Sequence, residues 1–410
     1  MTTHHSINGP RLLQQIKTLA EIGRTDTGAC CRLALTDEDK QGRDLVVRWM
    51  KELGMTISID PVGNIFGMRA GSRPDLAPIM TGSHIDTVRT GGAYDGNYGV
   101  LAGLEVVATL NEAQHITERG LVVGVFTNEE GARFAPDMLG ALVYVGGMAL
   151  EEALQVKAND GARLGDELKR IGYQGSAPLG IYKPHAFVEL HIEQGPLLDM
   201  EGIKIGAVEN LQGISWQELT IVGQSNHAGT TPMHLRHDAG YAASAISHFV
   251  RELTRTMGGN QVGTVGHVVL TPNLINVIAA RATITVDLRN TDERLLQQAE
   301  QMLNEYLLSL AASEGVKITS RRLARFEPVT FDAALADRIA HHAQNLGLSQ
   351  RRMTSGAGHD AQMLARICPA AMIFVPSVGG ISHNPAEHTD PDDLIAGANV
   401  LLATLTELAN

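Results

Sequence analysis

Short apolar runs alternate with amphipathic helical patterns through the first half of this 410-residue chain. The runs include MTISID, NIFGMR, PIMTGSH, LVVGVFTNEE and AFVELH, and one intervening helical pattern is YGVLAGLEVVATLNEA. Such alternation predicts βα units and an α/β fold with a mainly parallel central sheet. The pattern returns near the C-terminus with the helix ALADRIAHHAQNLG, the strand AMIFVPSV and the helix DDLIAGANVLLATLTELA.

A different pattern occupies residues 213–325. Strand and helix signals follow one another there in the order β-α-β-β-α-β, which is that of a complete ferredoxin-like unit. A chain of 410 residues also exceeds what one hydrophobic core usually organises. We therefore predict a first domain formed by residues 1–212 and 326–410, with an α+β domain inserted at 213–325.

Five side chains that can bind metal each follow a predicted strand: His84, Asp95, Glu130, His191 and His383. In an open α/β sheet, ligands gather outside the carboxyl ends of the strands, so these side chains are expected in one crevice. Histidine and carboxylate are the usual ligands of zinc and similar divalent ions. The sequence thus predicts a metal site at this edge of the sheet.

Two further carboxylates accompany these ligands. Asp86 lies two residues after His84 and is expected to accept the second N–H of that imidazole. Glu129 and Glu130 are adjacent, and neighbouring side chains on extended backbone point in different directions, so one can bind metal while the other faces a substrate. A surface turn at the first segment and a solvated loop start at the second are the alternatives.

The predicted insertion carries its own candidate residues. His227 lies in the loop QSNHAGTTPM, Asn276 in PNLINV, and Arg289 ends a predicted strand in VDLRNTD. A guanidinium group is a planar, bidentate donor that matches a carboxylate. An ion pair of Arg289 with Asp287 or Asp292 is the alternative interpretation.

Charge and cysteine content disfavour several functional classes. The net charge of -12, from 33 basic and 45 acidic residues, disfavours nucleic acid and anionic membranes as partners. Neither a secretory leader nor an apolar run long enough for a membrane span is evident. Three cysteines, of which Cys30 and Cys31 are adjacent, cannot form a disulfide framework, so a cytoplasmic location is predicted.

Eight motifs together resemble the amidase branch of the aminoacylase/carboxypeptidase metallohydrolase superfamily. They are GSHIDTVRTGGAYDGNYG, TNEEGARF, ELHIEQG, QSNHAGTTPM, PNLINV, DLRNTD, SGAGHDAQ and SHNPAEH, from about His84 to the C-terminus. The branch holds N-carbamoyl-L-amino-acid hydrolases, β-ureidopropionases and allantoate amidohydrolases. Peptidase relatives typically have a carboxylate where His191 stands and a longer gap between the first histidine and the bridging aspartate, so the resemblance favours an amidase.

The resemblance implies a di-metal, aminopeptidase-like catalytic domain. His84, Asp95 and His191 would hold one divalent ion, and Asp95, Glu130 and His383 the other. Glu129 would be the general base, and Asp86 would orient His84. Zinc is favoured, with manganese, cobalt or nickel as alternatives, since such ligand sets accept several metals.

The resemblance also implies a homodimer whose inserted domain acts as lid and dimerisation domain. Substrate contacts would come from Gln194, His227, Asn276, Arg289 and Gly358. His227 would stabilise the oxyanion, and it would reach the site from the partner subunit, as would Asn276.

The predicted reaction is metal-dependent hydrolysis of the carbamoyl C–N bond of N-carbamoyl-L-amino acids or N-carbamoyl-β-alanine, which yields the amino acid, carbon dioxide and ammonia. Allantoate hydrolysis is the first alternative, because allantoate also carries a carboxylate and ureido groups. A peptidase or N-deacylase is the next alternative. A binding protein without catalysis is the last, and the presence of Glu129 argues against it.

Overall fold

The computed structural model describes residues 5–158 and 160–410, and the chain divides into two compact units. The first unit combines the residues up to Glu209 with Thr330–Asn410, and the second is Asn210–Val329. Each unit has its own buried apolar core. None of the helices in the described ranges is long and apolar enough to span a membrane.

The described residues form thirteen strands and twelve α-helices. The strands are β1 (Thr56–Ile59), β2 (Ile65–Arg69), β3 (Ile79–His84), β4 (Leu121–Phe126), β5 (Ala186–Ile192), β6 (Ile205–Leu211), β7 (Gly213–Val222), β8 (Val262–Thr271), β9 (Arg281–Asn290), β10 (Lys317–Phe326), β11 (Val329–Thr330), β12 (Gln350–Ser355) and β13 (Ala370–Val375). The helices are α1 (Gly9–Ala20), α2 (Asp37–Glu52), α3 (Asn97–Glu112), α4 (Leu139–Tyr144), α5 (Leu150–Gln155), α6 (Leu164–Ile171), α7 (Leu197–Glu201), α8 (Ala239–Met257), α9 (Glu293–Glu314), α10 (Ala333–Asn345), α11 (Asp360–Leu364) and α12 (Pro391–Ala409).

The first unit is built on a nine-stranded sheet with the order β1-β2-β4-β3-β5-β13-β6-β11, and β12 pairs with β6. Its four central strands, β4, β3, β5 and β13, run parallel to one another. The flanking strands β2 and β6 pair antiparallel to this centre. The predicted α/β fold with a mainly parallel central sheet is confirmed, and the antiparallel flanks are an addition to it.

Burial explains why the central strands could be predicted from the sequence. Every residue of β3, β4, β5 and β13 is buried. Parallel strands covered on both faces read as continuous apolar runs. Two of the helices that cover this sheet, α3 and α12, carry most of their residues buried, which places them against its centre.

The second unit contains a four-stranded antiparallel sheet with the order β10-β7-β9-β8. Helices α8 and α9 supply one buried apolar face each, and their leucines, isoleucines and alanines pack with alternate residues of β9. The element order β7-α8-β8-β9-α9-β10 is the ferredoxin-like order read from the sequence. Asp238 and Asp292 cap the two helices by accepting backbone amide hydrogens.

Candidate active site

The candidate ligands lie at the carboxyl ends of the parallel strands. His84 is the last residue of β3, and His191 is the penultimate residue of β5. Glu130 follows β4, and His383 lies in the loop after β13. Asp95 precedes α3, and Gly96 between them has a φ of 66°. A Cβ atom on Gly96 would lie 2.4 Å from the His84 ring, so only glycine fits there.

Asp95 stands between two sets of side chains. Its Oδ1 lies 3.2 Å from His191 Nε2 and 3.6 Å from His84 Nε2. Its Oδ2 lies 3.2 Å from His383 Nε2, which is also 3.3 Å from Glu130 Oε2. Each oxygen of the Asp95 carboxylate therefore lies beside a different set of side chains.

Each group could hold a cation. We call His84, Asp95 and His191 the first ligand group, and Asp95, Glu130 and His383 the second. Within each group the ligand atoms all lie within 4.8 Å of one another. These are the two sets that the family resemblance implied, with Asp95 common to both.

The imidazole orientations suit metal binding. Nδ1–H of His84 donates to the carbonyl oxygen of Asp86 over 2.9 Å, and Nδ1–H of His191 donates to the carbonyl oxygen of Ile192 over 2.8 Å. The Nε2 lone pairs are then free to face Asp95. The amide of Gly96 lies 3.2 Å from His191 Nε2, in keeping with an unprotonated nitrogen.

Asp86 contacts His84 differently from the prediction. Its backbone carbonyl, not its carboxylate, accepts the imidazole hydrogen. The carboxylate instead accepts the amide hydrogens of Glu129 and Glu130 over 3.2 and 3.3 Å. The nearby main-chain carbonyl satisfies Nδ1, whereas the buried amides after β4 need an acceptor. Asp86 thus fixes the turn that carries both glutamates.

The adjacent glutamates face different neighbours. Glu129 Oε2 lies 3.4 Å from His84 Nε2, whereas Glu130 contacts His383. Glu129 is only 7% exposed, and burial raises its pKa well above the ordinary value, although His84 opposes the shift. A buried carboxyl with a raised pKa suits proton transfer near neutral pH.

The charge balance of the cluster favours cations. Hydrogen bonds to Asp95 and then Glu130 raise the pKa of His383 to about 10. Burial alone would raise the pKa of Asp95, but His191, His383 and His84 hold it well below the ordinary value. The carboxylates thus favour positive charge on the imidazoles, and divalent ions would supply that charge in their place. The residues present fit two such ions.

Three of the six non-glycine residues with a left-handed φ in the described part of the chain belong to the segments that carry the candidate ligands. Asn128, Gln194 and His383 have φ values of 57°, 57° and 54°, in the left-handed region. Non-glycine residues are held in this region only where their surroundings impose it, and such residues cluster at functional sites. The predicted substrate residue Gln194 donates from Nε2 to Asp95 Oδ2 over 2.8 Å, so it contacts the shared carboxylate directly.

His227 and Asn276 lie on neighbouring loops of the second unit. His227 pairs with Val277 in an isolated bridge, and the amide of Ala228 donates to the Asn276 carbonyl over 3.0 Å. Both His227 and Asn276 are exposed. The Nδ1 atom of His227 accepts the Gly229 amide hydrogen over 3.0 Å, which leaves the proton of the neutral ring on Nε2.

Arg289 and Gly358 lie in different units. Arg289 forms an ion pair with Asp287, from Nη2 to Oδ2 over 2.9 Å, and its guanidinium lies 5.8 Å from the Trp216 ring centroid. The ion pair left open in the sequence analysis is therefore present. Gly358 lies between β12 and α11, where a Cβ atom would come within 3.1 Å of the Met138 side chain.

Several buried ionisable residues beside the candidate ligands were not predicted from the sequence. His359 packs against His191 with ring centroids 4.5 Å apart, and Glu189 completes a third group of possible ligand atoms with them. Asp360 and Glu387 are also buried. Glu189 within the buried AFVELHI strand was a usable signal, because a carboxylate is costly to bury without polar partners.

Comparison with known proteins identifies the family. A model described as "Peptidase family M20/M25/M40" matches residues 80–407. The chain belongs to this family. It is 40% identical to an N-carbamoyl-L-amino-acid amidohydrolase of Rhizobium meliloti, over 98% of this chain and 97% of the relative. It is 35% identical to an allantoate amidohydrolase of Bacillus subtilis (strain 168), over 96% of each.

Solved structures agree with this membership. An amidase of the hydantoinase/carbamoylase family from Burkholderia multivorans superposes with a TM-score of 0.93 at 45% identity, and the match covers 98% of each chain. The amidase branch inferred from the motifs is thereby confirmed.

Proposed function

We propose that this M20 family member hydrolyses the carbamoyl C–N bond of N-carbamoyl-L-amino acids to the amino acid, carbon dioxide and ammonia. The observation that carries the proposal is the pair of ligand groups that share Asp95, set beside the buried Glu129. The relative of Rhizobium meliloti named for this activity is similar along almost the whole chain.

Glu129 acts as the general base. Two divalent ions held by the ligand groups would polarise the carbamoyl oxygen and acidify the attacking water. Glu129 takes the proton from that water and delivers it to the departing nitrogen. The Asp86 carboxylate keeps Glu129 in place by accepting the backbone amide hydrogen of Glu129. The Gln194 side-chain amide donates to the shared carboxylate of Asp95.

His227 and Arg289 recognise the two polar ends of the substrate. Because Nδ1 of His227 accepts a backbone amide, Nε2–H can donate to the oxyanion that develops on the carbamoyl carbon. Arg289 exchanges Asp287 for the substrate carboxylate, which offers the same bidentate geometry. Asn276 and the Gly358 backbone complete the substrate contacts in this proposal.

A homodimer supplies His227 and Asn276 to the neighbouring active site. Strand β8 supports dimer formation, because it is a ten-residue edge strand with Val262, Val268 and Val269 exposed. Long apolar edge strands pair readily with another chain, and a two-fold pairing would bury the same strand of both subunits. The inserted domain predicted at 213–325 would then serve as dimerisation domain and lid.

Zinc is the favoured ion, with manganese, cobalt or nickel as alternatives.

We also propose a cytoplasmic location. This proposal rests on the three cysteines, Cys30, Cys31 and Cys368, all of which are free thiols.

Allantoate is the second candidate substrate, favoured by the similar Bacillus subtilis relative. A panel of N-carbamoyl-L-amino acids, N-carbamoyl-β-alanine, allantoate and N-acetyl amino acids separates the candidates when ammonia release and amine release are both measured. We expect the largest kcat/KM on an N-carbamoyl-L-amino acid. Preference for allantoate would replace the proposal by its alternative, and amine release from N-acetyl amino acids alone would make the enzyme a deacylase.

A further inference from the structure

Glu387 connects the two loops that carry Asp95 and His383. This glutamate is 6% exposed. Its Oε1 accepts the amide hydrogens of Tyr94 over 3.0 Å and of Asp95 over 3.3 Å. Its Oε2 accepts the hydroxyl hydrogen of Ser382, the residue before His383, over 3.0 Å. One side chain therefore holds the backbone at Asp95 and the side chain of the residue before His383, and Asp95 and His383 are both ligands of the second group.

Packing alone does not fix the position of His383. Its side chain is 50% exposed, and its backbone has a left-handed φ of 54°. The Thr90 hydroxyl donates to the His383 carbonyl over 2.9 Å, which adds a second link between the same two loops. A half-exposed ligand on a strained backbone depends on such polar links for its orientation.

Gly92 provides the space that Glu387 occupies. A Cβ atom on Gly92 would lie 2.2 Å from Glu387 Oε1 and 2.4 Å from Glu387 Cβ. Gly92 does not adopt the left-handed conformation, so an alanine here meets a spatial conflict rather than backbone strain. Gly92→Ala is therefore a way to displace the Glu387 carboxylate without removing it.

We propose that Glu387 is a positioning residue that sets the distance between Asp95 and His383, and thereby the affinity of the second ligand group for its cation. The inference rests on the proposed di-metal function. Two of the three ligands in the second group lie on the loops that Glu387 joins, but only Asp95 of the first group does. Loss of Glu387 therefore acts mainly on the second group.

Zinc titration of the full-length protein against a competing chelator tests this inference. Loss of a residue that orients a ligand typically weakens metal affinity about 10- to 100-fold, and we expect a loss of that size for the second zinc in Glu387→Ala. The first zinc should be affected far less. Glu387→Gln retains a carbonyl acceptor for the Tyr94 amide and should weaken the second zinc less than Glu387→Ala. Gly92→Ala should reproduce the selective loss.

Glu105→Gln is the matched control. Glu105 is also a buried glutamate that accepts a backbone amide, from Asn8 over 2.8 Å, and it binds Arg11 rather than the ligand loops. The Glu105→Gln variant should have a lower thermal stability and unchanged affinities for both zinc ions.

The outcomes separate three cases. In the first, Glu387→Ala and Gly92→Ala lower only the melting temperature, as the control does, and leave both zinc affinities unchanged. That result would show that Glu387 is structural and would overturn the inference. Fewer than two zinc ions on the wild-type protein would overturn the di-metal proposal itself, and the inference with it. If Glu387→Ala does not fold, Glu387→Gln and Gly92→Ala carry the same comparison.

Discussion

Replacing Glu129 and Glu130 one at a time separates the base from the ligand. The backbone amides of both residues donate to Asp86, so glutamine at either position leaves the turn after β4 in place. Glutamine at 129 keeps the size of the side chain near His84 but cannot accept a proton. A general base typically contributes about 10²- to 10⁴-fold to the rate, which corresponds to about 3 to 5 kcal/mol at 1.36 kcal/mol per tenfold.

We therefore expect Glu129→Gln to lower kcat by about 10²- to 10⁴-fold, with two metal ions still bound and KM little changed. Glu130→Gln should instead lose the second metal, because its carboxylate is one of three ligands in that group. Steady-state kinetics and metal analysis on the same preparations measure both effects. If Glu129→Gln lost metal while Glu130→Gln kept both ions, the two roles would have to be exchanged.

Three further outcomes are expected. Asp95→Ala should lose both metals and all activity, whereas His383→Ala should keep the first metal; two ions measured on purified Asp95→Ala would refute the shared carboxylate. Arg289→Lys should cost about 2 kcal/mol or more in kcat/KM for carboxylate substrates but almost nothing for their amide analogues, and equal losses on both would make Arg289 structural. Mixing inactive His227→Ala and Glu129→Gln homodimers should restore roughly one quarter of wild-type activity per total site if subunits exchange at random. Heterodimers verified by mass spectrometry that stay inactive would place His227 in its own subunit's site.

The apolar pattern predicted the centre of the first sheet and its β1 edge, but not the strands at the opposite edge. Strands β3, β4, β5 and β13 are buried throughout, so their sequences are continuously apolar. Strand β12 has the sequence QRRMTS and is only partly buried. Its polar residues make the sequence resemble that of a loop. A two-residue strand such as β11 carries too little pattern to detect.

The candidate ligand residues stand out in the sequence for a physical reason that does not extend to the residues that support them. A histidine or carboxylate at the end of an apolar run stands out, and parallel topology brings such ends together. The links made by Glu387 and by the Asp86 carboxylate join residues distant in sequence and depend on loop conformation. Neither composition nor hydrophobic periodicity predicts these contacts.

The structure also explains how Glu129 can remain an effective base once cations occupy the ligand groups. Burial is the largest cause of its raised pKa, ahead of the charges of the neighbouring carboxylates. Cations in the ligand groups would neutralise Asp95 and Glu130, and their own positive charge would further lower the pKa of Glu129, which favours the ionised carboxylate that can accept a proton. The burial contribution would persist, because it comes from the protein that surrounds the side chain rather than from the ligands. The fold thus separates the residues that bind the ions from the environment that tunes the base, which is the arrangement that a metal-dependent hydrolase needs near neutral pH.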